Sequence, residues 1–435
     1  MTKRMTRRGF VKAGTAAVAA PYVSAARAQS FTNDPGARDT VTLALLVPLT
    51  GAFADESQEQ VRGFELALEH INGGGDGGML QTLRPLKLDG AGVLGKRVLS
   101  TLVDTQTRAA VAAEAANIAI ERDRATAVIG AGTSQTASVL LQRAQRAGVI
   151  YMMGSVTDAS LTDQQRSRFG FRHYINDPIG AVAIAGFIVR EYGPGRNVMQ
   201  VVPQYPSAVQ GARYFRQAGE RQGLKVVLEQ QVGLGQSDYS QVMTQVLNAE
   251  IDTIVFHGTG RQAVDFFVQV RAFGLDQRAA LVCPLLSPSL ARALSADGIR
   301  VHGAVNWDWS LRDDGTVAFV KGFAEKYGSP PSPIAHTAYL QAVLYANACQ
   351  TVGTFDPEGV WEALEGFRFA GTGNGDAVYN GSDHQAYQQS YIITTASESA
   401  SSEFDLVDAN SCVCLCAGTD VCRESCCSSE WNTVS

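Results

Sequence analysis

Long apolar runs are missing from this 435-residue chain: no stretch approaches the 18 or so consecutive apolar residues that a membrane-spanning helix needs. The mature protein is therefore expected to be soluble. Charge is scarce too. Only 18% of positions are charged and acids outnumber bases 42 to 36, which argues against a nucleic-acid binder held by phosphate contacts. With 45% hydrophobic residues, the chain can still bury a large core, which excludes a disordered polymer. Catalytic signatures are lacking as well. The six histidines, at 70, 173, 257, 302, 336 and 384, show no HExxH spacing, and no GxSxG elbow occurs. Gly130-x-Gly132 follows an apolar run, but position 135 is Gln where a dinucleotide-binding turn has a third glycine. Cysteine is almost absent from the body, where Cys283 and Cys349 stand alone and read as small buried hydrophobes.

What is present begins with the N-terminus. Residues 1–28 combine Lys3, Arg4, Arg7, Arg8 and Lys12, an apolar stretch from Ala13 to Val23, and Ala26-Arg27-Ala28, the pattern of a cleaved export signal. Thr6-Arg7-Arg8-Gly9-Phe10-Val11-Lys12 resembles the twin-arginine signal of bacteria, which addresses a translocase for folded proteins. Cleavage near Ala28 removes six basic residues and no acids, taking the formal charge from −6 to −12. The expected location is the periplasm.

From Thr40 to about Ile299, short apolar runs alternate with stretches of helical period, as in βαβ units with mainly parallel sheets. Strands are expected at 41–47, 98–103, 127–129, 149–152, 198–202, 225–228, 253–256 and 280–283. Val61, Phe64, Leu68 and Ile71 mark one helix, ended by Asn72-Gly73; Val111, Ala115 and Ile118 mark a second, and Val139, Ala144 and Ala147 a third. The segment 73–95 reads as a longer surface loop. About eight strands in a mature chain this long suit two α/β lobes better than one core.

Several ordered motifs carry a resemblance. Leu46-Val47-Pro48-Leu49-Thr50-Gly51, Glu69-His70-Ile71-Asn72 and Val128-Ile129-Gly130-Ala131-Gly132-Thr133-Ser134 come first. Ala147-Gly148-Val149, Ser155-Val156-Thr157-Asp158-Ala159-Ser160-Leu161-Thr162 and Phe171-Arg172 follow, then Gln210-Gly211, Gly274-Leu275, 319–327 and 339–346. Together, over about residues 40–395, they resemble the type I periplasmic solute-binding proteins of branched-chain amino-acid ABC importers. The resemblance implies an α/β fold of two lobes, each a mainly parallel sheet flanked by helices, joined by three hinge crossings. Lobe 1 is expected at 40–175 plus 308–368, lobe 2 at 176–307 plus 369–395, and the crossings near 172–178, 302–309 and 366–376. It also implies a non-enzymatic protein without a cofactor. Such a protein closes on a small solute and docks, as a monomer, on ABC permease subunits at the inner membrane.

By resemblance, Thr133, Ser134, Ser155, Val156 and Thr157 form the first-lobe half of the cleft, where hydroxyls and helix N-terminal amides suit a carboxylate or carbonyl. These hydroxyls equally suit helix caps. Phe53 sits in the first loop, with Glu56 expected to face water. On the second lobe the resemblance places Tyr205, Thr259 and the Cys283 region near the solute, and Trp307 or Trp309 at a crossing, where either stacks on the solute or packs the hinge. The amino-acid binders carry an acid after the strand matching 280–283. Here no carboxylate lies between Asp276 and Asp297, which disfavours a buried ammonium and favours an amide or an aromatic or aliphatic acid.

Two other classes stay open: a periplasmic oxidoreductase using the Gly130 turn, and a sensory or metal-handling module on a binding-protein body. The latter rests on the tail, 396–435, where Cys412, Cys414, Cys416, Cys422, Cys426 and Cys427 crowd behind a Ser-rich linker. These thiols suit disulfides, a soft metal, or a segment foreign to the family with no packed role.

Overall fold

The computed structural model describes residues 31–396 apart from 52, 75, 76 and 285, and a strand at 407–414. The export signal at 1–28 and Cys416, Cys422, Cys426 and Cys427 lie outside the described residues.

Lobe 1 is built as β1 (Thr40–Val47), α1 (Ala54–Asn72), β2 (Arg97–Asp104), α2 (Ala109–Asn117), β3 (Ala127–Gly130), α3 (Ser134–Ala147), β4 (Ile150–Met153) and β5 (Gly170–Arg172). Its sheet is parallel throughout, in the order β2-β1-β3-β4-β5. β3 and β4 are buried at every residue, as strands covered on both faces must be. The apolar stripe of α1 seats Val61, Phe64, Leu68 and Ile71 in the core, as its spacing predicts. In α3 the expected stripe is rotated: Thr136, Ala137, Leu140, Leu141 and Ala144 are buried, while Ala147 is exposed. The 73–95 segment is more than a surface loop, since Met79, Leu80, Leu83, Leu88 and Val93 enter the core.

Lobe 2 follows as α4 (Asp177–Tyr192), β6 (Asn197–Pro203), α5 (Pro206–Arg221), β7 (Lys225–Val232), α6 (Ser240–Asn248), β8 (Thr253–Phe256), α7 (Gly260–Ala272), β9 (Ala280–Val282), α8 (Pro288–Ala296) and β10 (His302–Val305). The chain then returns to lobe 1 through α9 (Asp314–Tyr327), α10 (Pro333–Val352) and α11 (Pro357–Leu364). Helix α10 is buried on all sides from Pro333 to Cys349, so its lack of a polar face is what its position requires. It crosses α1 so closely that a Cβ at Gly63 would run into the Ala335 carbonyl.

Three short strands, β11 (Arg368–Phe369), β12 (Ala377–Tyr379) and β13 (Ala386–Tyr387), form a small antiparallel sheet. Finally β14 (Gln389–Thr395) joins lobe 2 beside β10, and β15 (Val407–Cys414) pairs with β14 along seven positions, giving the order β15-β14-β10-β9-β8-β6-β7. Within the tail, then, the expectation of no packed role does not hold at 407–414: main-chain pairing to an open sheet edge needs no apolar pattern, only an unpaired neighbour. Cys412 and Cys414 lie in this strand.

The chain passes between lobes at 173–176, at 306–313 and immediately before β14. The third passage is later than 366–376, because the small sheet stays with lobe 1: His384 stacks on Phe171 at 4.4 Å, and Arg172 bridges to Gln385. Side-chain amides tie the small sheet and the third passage to the other two passages. Gln388 donates to the His173 carbonyl at 2.8 Å, Gln385 to the Tyr174 carbonyl at 2.9 Å, and Asn374 to the Asn306 carbonyl at 2.6 Å.

Candidate functional site

The lobe-1 face of the gap is made by the turns after β3 and β4. Gly130 and Ala131 both have positive φ, 102° and 154°, and a Cβ at Gly132 would run into the Pro48 ring. Those glycines are therefore explained by packing against β1, with no phosphate cradle needed. Gly154 is equally constrained, since a Cβ there would lie 2.6 Å from Ala131 N and from Gln60 Oε1. Gln60 donates to the Ala131 carbonyl at 2.9 Å and Tyr151 to the Gly130 carbonyl at 2.8 Å, fixing the turn from both sides. Thr133 is the N-cap of α3: its hydroxyl accepts from Thr136 N at 3.3 Å, and Thr136 reciprocates to Thr133 N. Ser134, next along, is half-buried.

After β4, Ser155 Oγ is buried without a hydrogen-bond partner among the described residues. Val156 packs its side chain into the lobe-1 core with Leu161 and Leu140, so an expected contact of that side chain with the solute gives way to apolar burial. Thr157 is buried and its carbonyl accepts from Asp177 N at 2.9 Å, joining this turn to the first turn of α4.

Across the gap, Tyr205, Thr259 and Cys283 do come together. Tyr205 precedes α5 and donates its hydroxyl to the His257 carbonyl at 3.1 Å; burial pushes it up to about 12. Thr259 is at the N-cap position of α7 without making a side-chain cap. The Cys283 thiol is fully buried and donates to the Gly258 carbonyl at 3.4 Å, so it packs beneath the loops that Tyr205 and Thr259 present. His257 lies under the same loops, with Nε2 against Gln200 Oε1 at 2.8 Å, and burial drives it down to about 3.

A cavity joins the two faces. Thr157 of lobe 1 lines it with Asn176, Asp177, Phe215, Pro284 and Ala304. Asn176 caps α4 by accepting from Ile179 N at 2.9 Å, and Pro178 opens the helix. Asp177 is the chemically distinctive member. Its Oδ2 is buried with no hydrogen-bond partner among the described residues, and burial raises the carboxyl to about 7 against the lowering effects of the Thr157 hydroxyl and Arg172. Arg172 itself is fully buried and binds neutral groups: Gln385 Oε1 at 2.6 Å, Thr162 Oγ1 at 2.8 Å and the Asp158 carbonyl at 2.5 Å.

A family model for periplasmic binding proteins matches residues 40–400. The chain belongs to the periplasmic binding protein family. The family implies a periplasmic location, and its members named here are transporter binding proteins. A leucine-, isoleucine-, valine-, threonine- and alanine-binding protein of Pseudomonas aeruginosa is 24% identical over 371 residues, 84% of this chain and 92% of that protein. Among solved structures, an amino acid ABC transporter substrate-binding protein from Pseudomonas fluorescens Pf-5 superimposes with a TM-score of 0.76 at 20% identity, covering 89% of this chain and 99% of that one. A solute-binding protein of an ABC transporter from Rhodopseudomonas palustris BisB5, in complex with 3,4-dihydroxybenzoic acid, gives 0.70 at 19% identity, covering 81% and 92%.

In this binding protein the remaining expected site residues part company. Trp307 is fully buried, stacks on His336 with ring centroids 4.4 Å apart and donates to Thr316 Oγ1 at 2.9 Å. It packs at the hinge with no surface exposed. Phe53 is half-buried at the start of α1, where its carbonyl accepts from Ser57 N at 3.0 Å. Glu56 does not simply face water. It reaches lobe 2, where Ser289 at the start of α8 donates to Oε1 at 3.3 Å, and burial raises its carboxyl above the ordinary range. Asp177 is the residue that the sequence reading left out of the site, and Glu56 the one it expected to face water. The sequence reading placed Asp177 only within a crossing near 172–178, and nothing in the sequence said that it would border a cavity.

Proposed function

We propose that this binding protein captures a small organic solute with a carboxylate or amide group between its lobes and delivers it to ABC permease subunits at the inner membrane. The cavity shared by Thr157 of lobe 1 and Phe215 and Pro284 of lobe 2 carries the reading, because only a ligand touching both lobes favours a closed form. The unpartnered Ser155 hydroxyl and the amide end of α3 beside Ser134 support a carboxylate or carbonyl on the lobe-1 side. The relatives' ligands, branched-chain amino acids in one case and dihydroxybenzoate in another, fall in the same size class. No cofactor and no chemical step belong to this role. We assign export to the twin-arginine signal and a monomeric state to the mature protein.

A thermal-shift screen of the mature protein against amides, aromatic and aliphatic acids and amino acids tests the role, since a ligand that binds only the folded state raises the melting point. Stabilisation by at least one acid or amide is expected, weakened by Ser134→Ala or Thr157→Ala. A screen in which no acid or amide stabilises the protein refutes it.

A further inference from the structure

Four of the residues lining the cavity on the lobe-2 side have almost no side chain: Gly180 and Ala181 from α4, Gly211 from α5 and Ala304 from β10. Glycine inside a helix costs roughly 0.5–1 kcal/mol relative to alanine, so two such positions ask for a cause. Close packing is the cause elsewhere, as at Gly63, where no Cβ fits against α10. It is not the cause here. A Cβ at Gly180 would meet nothing nearer than Ile175 Cδ1 at 3.8 Å, and one at Gly211 nothing nearer than His257 Nδ1 at 3.5 Å, both ordinary contacts. Neither glycine has positive φ. What the missing methyl groups leave is open space between α4 and α5, lined by the Phe215 ring and by Asp177, whose Oδ2 lacks a hydrogen-bond partner among the described residues.

Resting on the solute-capture role, we propose that this side pocket is the specificity pocket of the cleft and takes the end of the solute distal to its carboxylate, an apolar segment carrying an N–H or O–H donor that Asp177 accepts. The pocket takes Pro284 from the loop after β9, but no acid stands in that loop. It places the anionic partner on the hinge helix instead, facing Thr157 across the lobes, so that a solute bridging Ser155 and Asp177 spans the closing gap. A buried carboxylate oxygen with no partner is costly, and a donor arriving with the solute removes that cost. Solutes of equal length without the donor leave it in place, which is the strongest form of discrimination a small pocket has.

The test measures affinities of the mature full-length protein, its Asp177→Asn variant and its Gly211→Ala variant for two matched pairs, benzoate with 4-hydroxybenzoate and hexanoate with 6-aminohexanoate. In at least one pair the donor-bearing acid should bind the natural protein about tenfold tighter. Asp177→Asn should erase that advantage while leaving the donor-free acid within about threefold, and Gly211→Ala should weaken the donor-bearing acid by at least about tenfold. The melting point of free Gly211→Ala should be equal or higher, showing that lost affinity is not lost folding. Equal affinities within both pairs, or an advantage that survives both variants, overturn the pocket assignment and leave solute capture standing. Failure of all four acids to bind, in a protein that another acid or amide stabilises, also overturns it. Failure of every acid and amide overturns both.

Discussion

The two faces of the cleft treat their polar groups differently. On lobe 1 most are consumed internally: Thr133 and Thr136 cap α3 reciprocally, Gln60 and Tyr151 hold the β3 turn, and Gly154 fits only because it has no side chain. On lobe 2 one is left over, Asp177 Oδ2, unpaired among the described residues beside two glycines that nothing compels. A frame is built from satisfied groups, and recognition from unsatisfied ones. The lobe-1 face is therefore the fixed reference against which the lobe-2 face selects.

The largest effect expected from breaking this contrast is at the paired glycines. Gly154→Ala forces a Cβ to 2.6 Å from backbone atoms of the β3 turn and should cost about 3 kcal/mol of stability, whereas Gly211→Ala should cost none. Chemical denaturation of the two variants decides it, and equal losses would remove the distinction. Next comes pH. His257 is held down to about 3, so the unfolded chain binds the extra proton and His257's contribution to stability is lost as pH falls from about 6.5 towards 3. Asp177 is raised to about 7, so its protonated form stabilises the fold below about 4, and that contribution is lost as pH rises through 7. Each slope is at most about 1.4 kcal/mol per pH unit. Melting curves from pH 4 to 7 should show His257→Gln flattening the loss on acidification and Asp177→Asn raising stability most near neutrality. Shifts of the same sign in both variants would contradict the assignment.

Smaller effects sharpen the contrast. Thr133→Ala removes a cap and should cost about 1 kcal/mol while leaving affinity unchanged, and Ser134→Ala should do the reverse, weakening the solute at unchanged melting point. Calorimetry of both, with the outcomes exchanged, would assign Thr133 to the cleft instead. Least of all, Glu56→Gln keeps the contact to Ser289 but removes a half-buried charge between lobes. Its affinity should change by no more than about threefold, and mainly above the raised Glu56 value, where the natural side chain is ionised.

Much of the architecture was legible because both lobes obey local rules. Every strand from Val41 to Val282 except β5 announced itself by a short apolar run, and α1 by Val61, Phe64, Leu68 and Ile71. The exceptions have physical causes. β11 to β13 are two or three residues long, too short to show a period, and β15 pairs through its main chain at a sheet edge. Tyr205, Thr259 and Cys283 lie near one another because all follow strands that end on the same side of one sheet. Val156 and Trp307 were drawn into the core and the hinge, because apolar surface is buried wherever room exists.

By itself the sequence determined the parallel strands of the two sheets, the helices between them and the loops that end beside the cleft, since periodicity and capping act over a few residues. Only the tertiary structure decided that Asp177 borders a cavity unpaired, that Glu56 crosses to the other lobe and that Gly211 opens space instead of making way for a neighbour. Those outcomes depend on which distant surfaces meet, and no short-range pattern encodes that.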